Sequence, residues 1–306
     1  GELEHRIVKR FYARTNKIFG FEMQVARHFR RLRVLLKVKA RVAENKRQER
    51  LVREELRKEG LLKELPKQPG QPDVPTYRIS KTHLTPINIS RWIADNPNDQ
   101  ALKTFKVDLL DHLLSYFEPL RPHEDDYTDE QRRRISIVND IIYEHKTIRI
   151  QYSTYNMKTE YNFVNPRTDR CHVMLPCEET DPFLKPHPYW YGRVSGIFHA
   201  TVYYRPPTST LFEERTIDFL WMRWLGRDLD EDSPGFEGGQ LQRVGFLTAS
   251  DPTAGALGFA DPAHVIRAAH ILPAFEFGEV DDRLGPSVAR RKMDNDEDWG
   301  FYYVNP

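Results

Sequence analysis

The chain has 306 residues, of which 39% are apolar, 12% aromatic and 30% charged, a composition typical of globular proteins. It contains no apolar run of about 18 residues and no charged-then-apolar N-terminus, so we expect neither a transmembrane helix nor a secretory signal. The two cysteines, Cys171 and Cys177, favour a reducing intracellular compartment over a disulfide scaffold.

The net charge of +1 conceals an uneven distribution. Residues 1–67 contain 20 Lys and Arg against 9 Glu, whereas the remaining residues contain 26 Lys and Arg against 36 Asp and Glu. A basic arm on an acidic body predicts either contact between the arm and a nucleic acid or attraction between the two parts of the chain.

Residues 1–67 are predicted to form a basic helical arm. The stretch from Phe21 to about Glu59 lacks Pro and Gly and is rich in helix formers, which predicts one long helix. Its apolar residues at spacings of four, three and four form one stripe, made of Val25, Phe29, Leu32 and Leu36. Cations surround this stripe, and in the second half of the helix Glu alternates with Lys and Arg. Residues 68–76, rich in Pro, are predicted to be an extended linker.

Residues 77–146 are predicted to form a small helical subdomain. We expect a short helix within Asn88 to Asn96 and a longer amphipathic helix capped by Asn98. A third helix is expected to begin with a capping box between Thr128 and Gln131 and to end near His145. The buried face of this third helix is predicted to consist of Ile135, Val138, Ile141 and Ile142.

Residues 147–306 are predicted to form an aromatic-rich β domain with one short helix, capped by Asp261, and a C-terminal extension. The stretch Tyr189 to Tyr204 is typical of a strand, bent by a glycine at Gly192 or Gly196. In the run from Ile217 to Trp224, apolar residues occupy both faces, which predicts a strand in the middle of a packed sheet. The expected fold is α+β: a long basic helix, a small helical layer and a bent, antiparallel, barrel-like sheet.

The residues that could form catalytic or metal-binding motifs do not have the spacing or the neighbours that these motifs need. The cysteines and histidines between residues 171 and 187 lack the paired spacing of structural zinc sites. Ser195 lies inside a predicted strand and has no nucleophile-elbow motif around it. The glycines at 235–239 stand among acidic residues, which repel phosphate. We therefore expect no cofactor and no metal.

A two-metal nuclease centre is the catalytic alternative, because such a centre needs carboxylates on neighbouring strands. Asp218 and Asp228 bracket a buried run. A second acidic group comprises Asp294, Asp296, Glu297 and Asp298. A solvated loop is the other interpretation of this second group.

Two groups of residues are candidates for binding. The first could follow a phosphate backbone and comprises Arg6, Lys9, Arg10, Arg14, Lys17, Arg27, Arg30, Arg31, Arg33 and Lys37. A solvated helix, or an arm docked on the rest of a parent protein, explains the same charges. The second could form an aromatic protein-binding surface, or a cage for a methylated lysine, and comprises Tyr189, Trp190, Tyr191, Trp221 and Trp224. Core packing explains the same aromatics.

Several stretches of the chain carry a family resemblance. They are GELEHRIVKRFYARTNK at 1–17, NPRTDRCHVMLP at 165–176, HPYWYGRVSGIFHATV at 187–202, DFLWMRWLGRD at 218–228, and FADPAHVIRAAHILPAF followed by DWGFYYVN. In these stretches and in their order the chain resembles the C-terminal region of transposase-related proteins of mushroom-forming fungi, the Plavaka group allied to CACTA-type elements. The strand pattern around Trp190 to Gly196 is also similar to a small domain of plant CACTA transposases, which is reminiscent of BAH or SH3-like barrels.

The resemblance implies an accessory role. In such proteins an acidic DDE-type catalytic core lies upstream of the segment that residues 1–17 resemble. None of the motif positions of that core occurs here, so no catalytic residue carries over. The resemblance implies an accessory region that engages DNA or chromatin in the nucleus. A first residue Gly1 and a closing strand near Pro306 agree with a fragment of a longer polypeptide.

The predicted function is therefore non-catalytic binding. The basic arm is expected to contact duplex DNA, and the aromatic β domain a protein partner or the upstream catalytic core. We expect no membrane partner and no small-molecule substrate. Two alternatives stay open: a metal-dependent nuclease or transposase with its own acidic centre, and a purely structural subunit whose arm binds the missing core.

Overall fold

The structure is a computed structural model that describes residues 21–62, 76–119, 126–154, 156, 158–177, 187–228, 240–251 and 255–305. The chain divides into two compact units, Gly1–Lys58 and Glu59–Pro306. The predicted linker, residues 68–76, lies almost entirely outside the described residues.

The first unit contains one long helix, α1 (Phe21–Lys58), as predicted from the absence of Pro and Gly. At 1.5 Å per residue, its length is about 57 Å. Contacts along its second half are of the predicted kind, with Arg50 Nε 3.5 Å from Glu54 Oε1 and Gln48 Nε2 2.8 Å from Glu44 Oε1. Every described side chain of α1 is exposed or half-buried. This helix therefore has a solvated surface along the part that the structure describes.

The second unit begins with strands β1 (Tyr77–Ile79) and β2 (Pro86–Asn88), followed by helices α2 (Ile89–Ala94) and α3 (Phe105–Ser115). The short helix predicted near residue 89 is confirmed. Asn98 does not cap the longer helix, because that helix begins only at Phe105, with Thr104 at the capping position. Asp99 instead caps a preceding 3-10 turn, Gln100–Leu102. Asp99 Oδ1 accepts a hydrogen bond from Ala101 N at 2.9 Å, and its other oxygen accepts one from Val288 N at 2.7 Å.

The predicted third helix is mostly wrong. Its capping box is present, with Thr128 accepting from Gln131 N, but the helix α4 (Asp129–Arg132) has only four residues. Two strands follow, β3 (Ile135–Ile137) and β4 (Ile141–Glu144), joined by a turn in which Asn139 and Asp140 both have a φ of 55°. This left-handed turn breaks the helical path, and β-branched Ile and Val favour strands.

The remaining strands are β5 (Ile148–Ser153), β6 (Thr159–Val164), β7 (His172–Pro176), β8 (Tyr189–Tyr204), β9 (Glu213–Arg227), β10 (Gln242–Phe246), β11 (Leu257–Ala260), β12 (Arg267–Ala268), β13 (His270–Pro273), β14 (Glu279–Val280), β15 (Asp298–Trp299) and β16 (Tyr302–Asn305). The short helix predicted after Asp261 is a single 3-10 turn, Pro262–His264, with Asp261 as its cap.

The sheet is organised around β8 and β9, as predicted. An 11-stranded sheet has the main order β12-β7-β8-β9-β10-β16-β13, and β3 and β4 pair with β8. Strands β2, β3 and β4 of residues 77–146 therefore belong to the same sheet as strands of residues 147–306. The three-stranded sheet β1-β5-β6 is separate, and the strand pairs β1-β5, β5-β6 and β8-β9 are antiparallel. The described strands form open sheets and do not close into a barrel.

The predicted glycine bend lies at Gly196. The register between β8 and β9 shifts between Val194 and Gly196, which marks a bulge. A Cβ at Gly196 would lie 2.3 Å from the ring of Phe198, so no larger residue fits without moving that ring. The glycine therefore permits both the bulge and the packing of Phe198.

Side chains on both faces of β9 are buried, as predicted. One face packs against α2 and α3, where the ring of Trp221 lies 5.1 Å from Phe105 and 5.7 Å from Trp92. The other face, with Leu220 and Met222, packs against residues of β5 and β7. The antiparallel α+β class is thus confirmed, with the core on both sides of its central strand pair.

Candidate nucleic-acid interface and acidic residues

Half of the predicted nucleic-acid contacts lie on α1. The other half, Arg6, Lys9, Arg10, Arg14 and Lys17, lie outside the described residues. All five of the predicted cations that the structure describes are exposed, namely Arg27, Arg30, Arg31, Arg33 and Lys37. The side chains of Val25, Phe29 and Leu32, from the predicted apolar stripe, are also outside the described part, and Leu36 is 57% exposed.

These cations share one side of the helix. At 100° per residue, an arc of about 160° contains all five of them together with Arg41. Along the helix axis, these cations extend over about 21 Å, from Arg27 to Arg41. We define this group as the cationic face, made of Arg27, Arg30, Arg31, Arg33, Lys37 and Arg41. Cations on one side of a helix can lie along a phosphate backbone.

The cationic face has no acidic neighbour at pairing distance along the helix except at Arg41, which has Glu44 three residues on. From Arg27 to Lys39, no Asp or Glu occupies a position three or four residues away, which is the spacing needed for pairs on a helix surface. The second half differs, because Glu44, Glu49, Glu54 and Glu55 lie among its cations. The first half of α1 therefore concentrates the positive charge, and the second half disperses it.

The five predicted surface aromatics do not form one surface. Tyr191 and Trp221 are only 1% and 2% exposed, and they belong to different core clusters. Tyr189 and Trp224 are half-buried, and Trp190 is 40% exposed. The predicted cage of these five residues is therefore wrong, because alternation along β8 and β9 sends them to opposite sides of a sheet that is buried on both faces.

The acidic residues proposed for a nuclease are paired with cations. Asp218, with a side chain only 6% exposed, binds Lys81 Nζ through both oxygens and accepts a hydrogen bond from Tyr77 at 3.1 Å. Asp228 binds Arg243 Nε. These contacts use the carboxylates that a metal ion would need. Among the described residues, no group of three or more His, Cys, Asp or Glu is placed to hold a metal ion.

The acidic group near the C-terminus is divided: Asp294 and Asp298 form buried ion pairs, whereas Asp296 and Glu297 are exposed, as in a solvated loop. The Asp298 carboxylate lies 2.6 Å from Arg223 Nη2 and 2.8 Å from Arg290 Nη2, and all three side chains are at most 2% exposed. Burial alone would raise the pKa of Asp298, but hydrogen bonds and charge from Arg223 and Arg290 hold it below its ordinary value. Asp294 pairs in the same way with Arg193 at 2.9 Å and Arg291 at 2.8 Å.

The two cysteines are free thiols. Cys171 is buried, and burial raises the pKa of its thiol, although the charges of Arg193 and Arg291 act in the opposite direction. His172 is buried in the sheet with its Nε2 3.4 Å from Arg193 Nε. A pKa held high by burial makes Cys171 a poor nucleophile at neutral pH.

Beside Asp218 lies a stack of histidines, two of them buried, that no local sequence pattern indicates. His145 Nε2 lies 2.6 Å from His199 Nδ1, and the His83 ring lies 5.2 Å from that of His199. Burial lowers the pKa of His145 to about 4 even though Asp218 acts to raise it. Burial, followed by the neighbouring histidines and Lys81, lowers the pKa of His199 to about 3. The pair is therefore neutral at physiological pH.

Because the buried pair is held neutral, we expect the protein to lose stability in mild acid. Below the ordinary histidine pKa of 6.5, the unfolded chain binds protons that the folded pair at His145 and His199 does not. The free energy of unfolding should therefore fall as the pH drops from about 6.5 towards 4, by about 2 kcal/mol per histidine at pH 5. Urea denaturation at about pH 7.5 and 5 measures the effect.

The comparison variant is the double substitution His145→Gln, His199→Asn, with His270→Gln as an exposed control. We expect the double variant to lose less stability between the two pH values than the wild type, and the control to behave as the wild type does. An equal pH dependence of stability in all three proteins would contradict the conclusion that the His145–His199 pair causes the loss of stability in acid.

No helix in the described part of the chain is long and apolar enough to cross a membrane. In comparisons with known proteins, the chain matches no protein-family model, no curated protein and no solved structure.

Proposed function

We propose that the chain is a non-catalytic DNA-binding region of a transposase-derived protein, and that the cationic face of α1 forms the contact with duplex DNA. The observation that carries this proposal is the row of exposed cations on one side of that helix, which from Arg27 to Lys37 has no Asp or Glu three or four residues away. The resemblance to fungal transposase-related proteins supports the same role and implies a nuclear location.

The physical argument concerns counterion release. DNA carries condensed cations along its backbone, and each Lys or Arg that neutralises a phosphate releases some of them. An α-helix of about 10–12 Å diameter also fits the major groove of B-DNA, which is about 12 Å wide. Contacts to phosphates position the protein without reading bases, so from these contacts we expect little sequence preference.

We propose a different role for the β domain, residues 147–306. We assign it to contact with a protein partner, which is the role that the resemblance to BAH or SH3-like domains implies. Large aromatics on its surface support this assignment, since Phe163 is 59%, Tyr161 46% and Trp190 40% exposed. The nuclease alternative has less support, because Asp218 and Asp228 are engaged by cations.

The test of the DNA proposal compares two sets of charge-removing substitutions. The face variant replaces Arg27, Arg30, Arg31, Arg33 and Lys37 with Gln. The matched control replaces Lys46, Arg47, Arg50, Arg53 and Arg57 with Gln, which removes the same net charge. Gln has a helix propensity close to those of Lys and Arg, so both variants should stay helical by circular dichroism.

In fluorescence anisotropy with a labelled duplex at low salt, we expect the face variant to bind about tenfold or more weakly than the wild type, which corresponds to about 1.4 kcal/mol. The control should lose no more than about threefold. Equal losses in the two variants would show that net charge, not the cationic face, governs binding. A wild-type protein that does not bind at all would end the DNA proposal.

A further inference from the structure

The second unit contains a cleft that the DNA-binding proposal does not use. It lies between helix α3 and the 3-10 turn after β11, and its volume is about 520 Å³. Clefts of 300–1,000 Å³ hold small ligands or single side chains, so this cleft has a suitable size. Its apolar part is formed by Leu175, Trp224, Phe259 and Ala260, and its polar part by His112, Ser115, Tyr116, Asp261 and His264.

Aromatic rings line much of the cleft. The His112 ring stacks on Phe259 with centroids 5.8 Å apart, and it meets Tyr116 edge-on at 5.4 Å. The indole of Trp224 lies close to the backbone of β11, because a Cβ at Gly258 would be 3.0 Å from Trp224 Nε1. Because Gly258 has no side chain, the Trp224 indole can pack against β11 and line the cleft. Aromatic faces are electron-rich and attract cations.

The charged group of the cleft is an anion. Asp261 Oδ1 accepts a hydrogen bond from Ala263 N at 2.7 Å, and among the described residues no Lys or Arg forms an ion pair with the Asp261 carboxylate. No Lys or Arg is among the described residues that line the cleft. The electrostatic environment is therefore suited to a positive ligand and unsuited to phosphate.

Two other polar groups of the cleft, His112 and Tyr116, do not oppose a cation. Burial lowers the pKa of His112 to about 4, so its ring is neutral at physiological pH. Its Nε2 is buried and has no hydrogen-bond partner among the described residues, so it can accept a hydrogen bond from a ligand. Burial and the charge of Asp261 raise the pKa of Tyr116, whose phenol therefore stays uncharged.

We infer that this cleft binds an alkylammonium group, held between its aromatic rings and the Asp261 carboxylate. The inference rests on the cleft, its aromatic lining, its unpaired carboxylate and the absence of lining Lys or Arg among the described residues. The ammonium group belongs either to a small molecule or to a lysine side chain, methylated or not. This site is independent of the cationic face, so the two proposals stand or fall separately.

The test uses the full chain and follows the tryptophan indole signals by ¹H–¹⁵N NMR, with the Trp224 signal assigned from a Trp224→Phe variant. Choline is titrated to about 20 mM, and 3,3-dimethyl-1-butanol, which has the same shape without the charge, is the control ligand. N-acetyl-trimethyllysine methylamide, titrated in the same way, represents a protein side chain. The relative affinities of the two cations decide between the two sources.

We expect both cations to shift the Trp224 signal in a saturable way and the neutral isostere to cause no saturable shift. Asp261→Asn should bind the cations about fivefold or more weakly. Asn also caps helical turns, so this variant should keep its fold. Asp282→Asn, at an exposed position, should bind as the wild type does. Equal binding of the neutral isostere, unchanged affinity in Asp261→Asn, or no shift with either cation would overturn the inference.

Discussion

Replacing Asp298 with Asn should lower the free energy of unfolding by about 3–5 kcal/mol, because it leaves two buried arginines without a counter-charge. Arg223 and Arg290 are each at most 2% exposed, and the Asp298 carboxylate is bound by both. The guanidinium of Arg223 also lies 3.9 Å from the centre of the Phe246 ring, so it cannot move to water without disturbing the core. Asn offers one oxygen and no charge in place of the carboxylate.

Chemical denaturation of the wild type and the variant measures this loss. Asp282→Asn is the control, since the Asp282 side chain is 68% exposed and its pair with Arg283 is long, at 3.5 Å. We expect this control to change stability by less than about 0.5 kcal/mol. If Asp298→Asn were no more destabilising than Asp282→Asn, the buried network would not hold the C-terminal strands in place.

Trp221→Ala is expected to have an effect of similar size, about 3–5 kcal/mol, through loss of core packing. The indole is 2% exposed and lies edge-on to both Phe105 and Trp92. Removing it opens a cavity where α2 and α3 meet β9. Such a cavity refills only partly, because the neighbouring backbone elements are rigid.

The exposed Trp190 provides the matched control. Trp190→Ala removes the same side chain at 40% exposure, so it should cost clearly less, about 1 kcal/mol or below. Thermal or denaturant unfolding measures the loss of stability in each variant and so distinguishes a buried from an exposed tryptophan. Comparable losses at both positions would contradict the placement of Trp221 in the core.

The parts of the fold that sequence predicts well are those with local causes. The absence of Pro and Gly predicts α1, and the bounds of β8, Tyr189–Tyr204, follow from its aromatic and β-branched residues. The two apolar faces of Ile217 to Trp224 predict the central position of β9. That same observation implies burial of Trp221, so the aromatic surface that included it conflicted with the predicted sheet.

Other features depend on contacts that local patterns do not reveal. Apolar residues at 135, 138, 141 and 142 have helical spacing, and only the left-handed turn at Asn139 and Asp140 shows that Ile135 belongs to one strand and Ile141 and Ile142 to another. The pair Arg223–Asp298 joins residues 75 positions apart, and the cleft at Asp261 joins α3 to β11. In each case, only the tertiary structure brings the interacting residues together. The cationic face could be predicted, because all of its residues lie on one helix.

The central claim, that the cationic face binds duplex DNA, is tested most directly by a salt series. The affinity of the wild-type chain for a labelled duplex is measured by anisotropy between about 50 and 200 mM salt, and the logarithm of the binding constant is plotted against that of the salt concentration. Contact of five cations with phosphates predicts a slope of about −4 to −5, and a slope several units shallower in the face variant. A slope near zero, or the same slope in both proteins, would contradict the claim.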